Sequence, residues 1–326
     1  MLKVGLVLQN RGILFGWTTV PEMLNLSEKA DQSGSFSAVL AGDCIMSKPR
    51  LESITLLAAI AARTDRVRLG TACMASFALR HPVVLAYQWA SLDVISGGRT
   101  TLIACLGGSD VSGGGDTETE LKTMGVQRKE RVGRLVEGIQ ILRRLWTEDK
   151  VSHAGQYYRF ENAYIEPKPV QKPCPPIWIA SNPHLETSDA EVFARSMRRV
   201  AKWADGWMTF ATTPERLERN WKQIQQLARE ERDPGPQACS LYCNVNINSD
   251  RSKACEETRK FLAENYVSVL SDEKLERYAI FGPAKDVASR LREFAQAGAD
   301  SVAIRFSSFN QLEQVERCIN ELVPLL

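Results

Sequence analysis

Histidine is nearly missing from this chain: His81, His153 and His184 are the only three in 326 residues. A three-histidine metal centre would need all of them, and His153 falls in a stretch patterned like a hairpin, so that class has no support. The HExxH pair, the GxSxG nucleophile elbow and the GxxxxGK[ST] phosphate loop are all absent. After the first apolar strand there is no GxGxxG turn, as a doubly wound dinucleotide sheet would want. No CxxC occurs among the eight cysteines. Cys239 and Cys243 share one face of a strand, but no second pair or nearby histidine joins them, so no metal is expected. Scattered free thiols suit a cytoplasmic protein. No apolar run reaches the ~18 residues of a membrane span. The net charge is +2 with no basic stripe, so neither nucleic acid nor an anionic membrane is expected as partner. The opening MLKVGLVLQN turns polar at Gln9-Asn10-Arg11 and is expected to be a first strand, not a signal peptide.

What is present is an alternation of buried strands and helices. Strands are expected at 3–9, 36–40, 66–73, 100–106, 177–180, 206–210, 239–248 and 301–306. Helices are expected at 21–33, 51–63, 82–95, 128–146, 186–202, 214–231, 253–266, 285–297 and 311–325. Pro82 opens one helix where a missing N–H costs nothing. Residues 107–125 are rich in Gly, Ser and Asp and form a loop insertion. The texture changes again at 151–169, where HAGQYYRFENAYIEPKP predicts a β-hairpin insertion after the fourth helix. Eight strands alternating with helices close most simply into one (β/α)8 TIM barrel, an α/β fold, spanning 1–326 as a single domain.

In such a barrel the site is built from the loops after the strands. Paired carboxylates are scarce there: Asp43 and Asp110 are the best, and either can simply cap a turn. A mouth so poor in acids, bases and nucleophiles predicts that a cofactor carries the hard chemistry. Ala180-Ser181-Asn182 precede a helix, where hydroxyl, amide and free N–H groups can hold a phosphate, with Arg198 and Arg199 as candidates to reach it. Phe15 and Trp17 after strand one, with Phe77 and Asp110, are candidates for a substrate pocket. His81 is expected to cap a helix, and Arg131 and Glu137 to brace the barrel.

The wording of several segments resembles one family. These are Ala58-Ala59-Ile60-Ala61-Ala62-Arg63-Thr64, Val67-Arg68-Leu69-Gly70-Thr71, Arg80-His81-Pro82, Ser91 to Arg99, Pro167 to Pro173, Pro175 to Ile179, Ala204-Asp205-Gly206-Trp207 and Gly298-Ala299-Asp300. In this order they resemble the luciferase-like flavin-dependent oxidoreductases, of the bacterial luciferase type. The resemblance implies a bacterial-luciferase-like barrel, usually a homodimer, with FMN or a 5-deazaflavin coenzyme at its C-terminal mouth. It implies ring contact for Ala72, Cys73 and Met74 at a bulge ending strand three. It also implies cofactor phosphate near Ala180, Ser181 and Asn182. Gly206 permits close backbone approach, so Trp207 or Met208 beside it is a candidate cofactor contact. Cys44 stands where relatives often place a histidine facing the ring, and is the candidate catalytic residue. Gly108 stands where deazaflavin dehydrogenases tend to carry an acid. Both departures favour an FMN-dependent monooxygenase, acting with reduced flavin and O2 on a small organic substrate and supplied by an NAD(P)H:flavin reductase. A deazaflavin-dependent hydride-transfer enzyme is the alternative, and a non-catalytic flavin-binding protein a third.

Overall fold

The computed structural model describes residues 2–107, 115–182, 189–266 and 270–326. Its strands are β1 (Lys3–Leu8), β2 (Ala38–Asp43), β3 (Arg68–Met74), β4 (Thr100–Ala104), β5 (Val151–Ala154), β6 (Arg159–Ala163), β7 (Ile177–Ala180), β8 (Gly206–Phe210), β9 (Ala238–Ile247), β10 (Ala279–Gly282) and β11 (Ser301–Phe306). Its helices are α1 (Val20–Ser33), α2 (Ser53–Ala61), α3 (Pro82–Ile95), α4 (Thr117–Thr123), α5 (Arg131–Thr147), α6 (Ala190–Trp203), α7 (Pro214–Glu231), α8 (Arg251–Tyr266), α9 (Asp272–Tyr278), α10 (Ala284–Gln296) and α11 (Gln311–Arg317).

Eight parallel strands run in the order β1-β2-β3-β4-β7-β8-β9-β11, and β11 pairs back onto β1, closing the (β/α)8 barrel. The ten-residue β9 makes the closure possible. Its first half pairs with β8, it runs along β11 for most of its length, and its last residues also carry the extra strand β10. β5 and β6 form the separate hairpin expected after the long helix. Glu137 on α5 ties that hairpin down, accepting from the Tyr157 and Tyr158 N–H groups and meeting His153 Nε2 at 3.0 Å.

The elements end where their residues dictate. α1 starts with a reciprocal Thr19–Glu22 capping box and stops at Gly34, whose φ of +69° suits a residue without a Cβ. α3 begins at Pro82, with His81 Nδ1 accepting from the Val83 N–H at 3.3 Å. β2 extends past the expected end at residue 40 to Asp43, because Ala41 and Gly42 remain inside the sheet. The 107–125 segment holds α4, and α9 with β10 fills a stretch where nothing regular was expected. The last helix is α-helical only to Arg317, then continues through a π turn and a 3-10 turn.

Two layers share the burial. Helix-facing side chains form the large outer core. Inside the barrel a small plug of Val7, Leu40, Ala72, Ile103, Met208 and Ala303 packs with Trp178, Ala180 and Tyr242. Gly70 makes room for this plug. A Cβ there would run into the Thr101 carbonyl oxygen and lie 3.1 Å from Leu40 Cδ2. Gly70→Ala is therefore expected to destabilise the barrel by about 2 kcal/mol through overpacking against backbone, read as a lower urea midpoint at unchanged slope. An unchanged midpoint would show that β3 can shift.

Candidate active site at the barrel mouth

The C-terminal ends of β2, β3 and β4 build one side of the mouth. β3 carries one residue more than either neighbour between Thr71 and Met74, a bulge, and its Ala72–Cys73 peptide is cis. Bulges commonly re-aim side chains beside active sites. Ala72 and Cys73 belong to the barrel interior, whereas Met74 turns to the outer core. The Cys73 side chain hydrogen bonds to Cys105, just past β4. That bond, with burial, pushes the Cys105 thiol well above its ordinary range.

Cys44 opens the loop after β2. Its thiol is half-buried, 2.7 Å from Ser47 Oγ and 3.7 Å from Glu120 Oε1. Burial pushes it up, Ser47 pulls it down and Glu120 pushes it up again, so it stays protonated near neutral pH and is no ready nucleophile. Glu120 is a functional residue the sequence reading missed. It sits on α4, nearly buried, and one carboxylate oxygen accepts from the N–H groups of Ile45 (2.9 Å), Met46 (2.9 Å) and Ser47 (3.4 Å). The available signal was Asp116, which caps α4 by accepting from the Thr119 N–H. Asp43 is equally committed: Ser53 Oγ, the Ser76 N–H and Oγ, and Arg80 Nη2 all donate to it.

Opposite, the end of β7 supplies Ser181 and Asn182, and β8 supplies Thr209 beside them. Ser181 Oγ lies 3.3 Å from Ser196 Oγ on α6, and Asn182 Oδ1 accepts from Thr209 Oγ1 at 3.3 Å. Arg199 lies three residues beyond Ser196, on the same helix face. It is half-buried, forms no ion pair among the described residues, and is pulled down by burial and then by Arg195. Arg198 instead pairs with Glu231 at 3.4 Å. Two serine hydroxyls and a guanidinium with no ion pair among the described residues are the makings of a phosphate cradle.

A third group stands at β1, β2 and β11. Arg11, Lys48, Arg50 and Arg305 converge here, Arg11 and Arg305 both nearly buried. Burial pulls Arg11, Arg50 and Lys48 down, and neighbouring cations pull each further, leaving Lys48 at about 8. Burial also opposes the Arg305 charge, but Tyr242 and Tyr266 more than offset it. None of these four cations was singled out from the sequence.

Several expected residues are placed elsewhere. Trp207 faces outward: it is fully buried, stacks on Trp221 of α7 with ring centroids 6.3 Å apart, and donates its indole N–H to the Ser181 carbonyl. Met208 takes the inward position. Phe77 is also corrected: its ring is buried in the outer core, where a Cβ on Gly138 of α5 would lie 2.9 Å away, so it does not line the mouth. Trp17 packs in a satellite cluster with Phe261 and Phe309, while Phe15 stays exposed beneath the Arg11 guanidinium, 5.2 Å from its ring centroid. Asp110 and Gly108 lie outside the described residues. Cys239 and Cys243 are buried on the helix-facing side, and burial pushes both thiols up. Among the described residues no group of three or more His, Cys, Asp or Glu is placed to hold a metal ion, and no helix is long and apolar enough to cross a membrane.

Comparison with known proteins agrees with this architecture. The model of the luciferase-like monooxygenase family matches residues 4–301, and the chain belongs to that family. It is 28% identical over 251 residues to an F420-dependent glucose-6-phosphate dehydrogenase of Amycolatopsis mediterranei, covering 73% of this chain and 69% of that protein. It is 26% identical over 341 residues to the oxygenase component of a flavin-dependent trigonelline monooxygenase of Acinetobacter baylyi, covering 93% and 89%. Among solved structures, an F420-dependent secondary alcohol dehydrogenase in complex with an F420-acetone adduct superposes with a TM-score of 0.79 at 18% identity, covering 100% of this chain and 98% of that one. That likeness is one of fold. The chain is thus a luciferase-like oxidoreductase.

Two outcomes follow from the mouth's charges. Glu120→Ala strands three N–H groups of the 45–47 turn and is expected to cost about 2 kcal/mol, read as a lower urea midpoint; no loss would mean water replaces the carboxylate. Lys48 has a folded value of about 8 against 10.5 unfolded, so between those values the unfolded chain binds a proton that the folded one does not. Stability from this group therefore rises with pH across that window. Lys48→Met is expected to be more stable than wild type near neutral pH, with the advantage fading as pH rises through the window. A constant difference would place the Lys48 ammonium in solvent.

Proposed function

We propose that this chain is a deazaflavin-dependent oxidoreductase that transfers a hydride to or from a small organic substrate at the C-terminal mouth of the barrel. The observation that carries the reading is the pairing of a phosphate cradle with an apolar floor. Ser181, Asn182, Ser196 and the unneutralised Arg199 would hold a cofactor phosphate. Ala72, Cys73, Ile103, Ala180 and Met208 offer a surface on which a flat ring can lie. These residues fit such a group: cation and hydroxyls at one end, no competing charge beneath the ring. When bound, the cofactor supplies the redox chemistry. The protein binds it, orients the substrate and excludes water.

The choice of deazaflavin over FMN leans on relatives. Several similar proteins carry names that specify F420, a deazaflavin, and this outweighs the expectation raised by Cys44 and Gly108. The FMN monooxygenase reading, with O2 and a separate flavin reductase, keeps one specific support. Among the described residues both mouth carboxylates, Asp43 and Glu120, are spent on hydrogen bonds and the Cys44 thiol is pushed up. In that reading Cys44 shapes the pocket and moves no proton. A homodimer belongs to either version, and the exposed apolar side chains Val84, Tyr87 and Ile95 of α3 offer it a surface.

Anaerobic titration with oxidised and reduced forms of both cofactors, followed by tryptophan quenching, tests the reading. The deazaflavin is expected to bind at least tenfold more tightly than FMN, about 1.4 kcal/mol. Arg199→Met should weaken it by about tenfold. Preference for reduced FMN would hand the protein to the oxygenase reading, and binding of neither would overturn both.

A further inference from the structure

The barrel order places β7 and β8 across the mouth from β1, β2 and β11. The phosphate cradle described above stands on the first side. The four cations Arg11, Lys48, Arg50 and Arg305 stand on the other, too far round the ring to serve the same phosphate. Among the described residues they have no carboxylate partner. None forms an ion pair among the described residues. Asp43, the acid that most supports Arg50, is already held by Arg80, Ser53 and Ser76, and Glu120 serves the 45–47 backbone.

The hydrogen bonds these cations do make are few. Arg11 donates to the Asn265 carbonyl, Arg50 Nε to the Lys48 carbonyl at 3.1 Å, and Arg305 Nη1 to Tyr266 Oη at 3.4 Å. Arg11 Nε and Arg305 Nε are buried with no partner at all. Gly42 has no side chain to separate them: a Cβ there would collide with Arg50 Nη1 and lie 3.6 Å from Arg305 Nη2. Aromatic rings back the cluster. Tyr242 lies 5.3 Å from the Arg305 guanidinium, Tyr266 lies 5.3 Å from Lys48 Nζ, and Phe15 lies beneath Arg11. Like charges gathered out of water and left unneutralised are unfavourable, so a natural sequence keeps them where an anion repays the arrangement.

We propose that Arg11, Lys48, Arg50 and Arg305 form an anion subsite separate from the cofactor phosphate, and that the substrate of this oxidoreductase carries a carboxylate, sulfonate or phosphate group held there. The identification of the anion as substrate rests on the redox reading above; the existence of the subsite does not. A bidentate guanidinium contact from Arg305 or Arg50 suits all three groups, which share the chemistry of a compact oxyanion. The subsite holds the substrate by its charged end and leaves its reacting carbon free to face the bulge at Ala72–Cys73.

The test uses the whole protein and simple probes: sulfate, phosphate and acetate, each titrated at constant ionic strength against chloride, with melting temperature and calorimetry as readouts. A saturable stabilisation by at least one oxyanion is expected. Arg50→Met and Arg305→Met should each weaken that binding tenfold or more, while Arg199→Met leaves it in place. In the absence of any oxyanion, Arg50→Met is expected to melt above wild type, because a charge opposed by burial and by the neighbouring Arg305 has been removed. That sign separates a binding arginine from a structural one, whose loss would lower the melting temperature. Deazaflavin or FMN affinity, measured on the same variants, should stay within threefold.

Each contrary result is decisive. Loss of oxyanion binding in Arg199→Met but not in Arg50→Met would assign the anion to the cofactor cradle and overturn the subsite. Parallel loss of cofactor and oxyanion in Arg50→Met would make the cluster part of the cofactor site, with the same consequence. Oxyanion binding that survives while no flavin or deazaflavin binds at all would leave the subsite standing and overturn only the redox reading.

Discussion

The barrel exists because one strand is shared three ways. β9 hydrogen bonds to β8 on one side and β11 on the other, and without it the eight-stranded sheet has two open edges. Closure tilts the strands, and the interior becomes too narrow for anything but side chains. Val7, Leu40, Ala72, Ile103, Met208 and Ala303 fill it. A ligand can therefore enter only above the plug, where the strands end and the loops begin. The β3 bulge, the β2 loop and the β11 arginine all gain their meaning from that geometry.

The mouth is electrostatically uneven. Its carboxylates are turned inward to serve the protein: Asp43 knits the loops after β2 and β3, and Glu120 holds the 45–47 turn against α4. Among the described residues Arg11, Lys48, Arg50 and Arg305 on one arc and Arg199 on the opposite one have no carboxylate partner. Acids used as struts and cations left unmatched produce a site that favours anionic ligands at both ends, while the middle, lined by small and sulfur-bearing side chains, carries little charge. That is a sensible environment for chemistry carried by a bound aromatic cofactor, since the electrostatics position rather than react.

Much of the fold was legible in the sequence for local reasons. Pro82 and Pro214 fix the starts of α3 and α7, and the apolar runs of β7 and β11 end at Ser181 and Ser307. α4 was hidden because TETELKT is short and charged and adjoins a glycine-rich run. The choice between Trp207 and Met208 was open for a clear reason. A parallel strand buried on both faces has no polar alternation, so nothing in GWMTF tells which residue points inward. Phe77 failed, since a loop aromatic can turn either way. The cationic cluster was illegible for a different reason: its members lie between positions 11 and 305, and only closure brings them together. Arg305 in the apolar run SVAIRF was the one local anomaly that could have announced it.

The contact between Glu120 and the loop that carries Cys44 has an evolutionary consequence. Residue 44 and α4 are not independent: α4 supplies the carboxylate that shapes the backbone around residue 44. A substitution at position 44 is therefore judged by selection together with the identity of residue 120, and a change in one resets which changes are tolerated at the other. Libraries that vary positions 44, 47 and 120 jointly sample what this barrel can become, whereas single-site scans sample mostly the ways it can break.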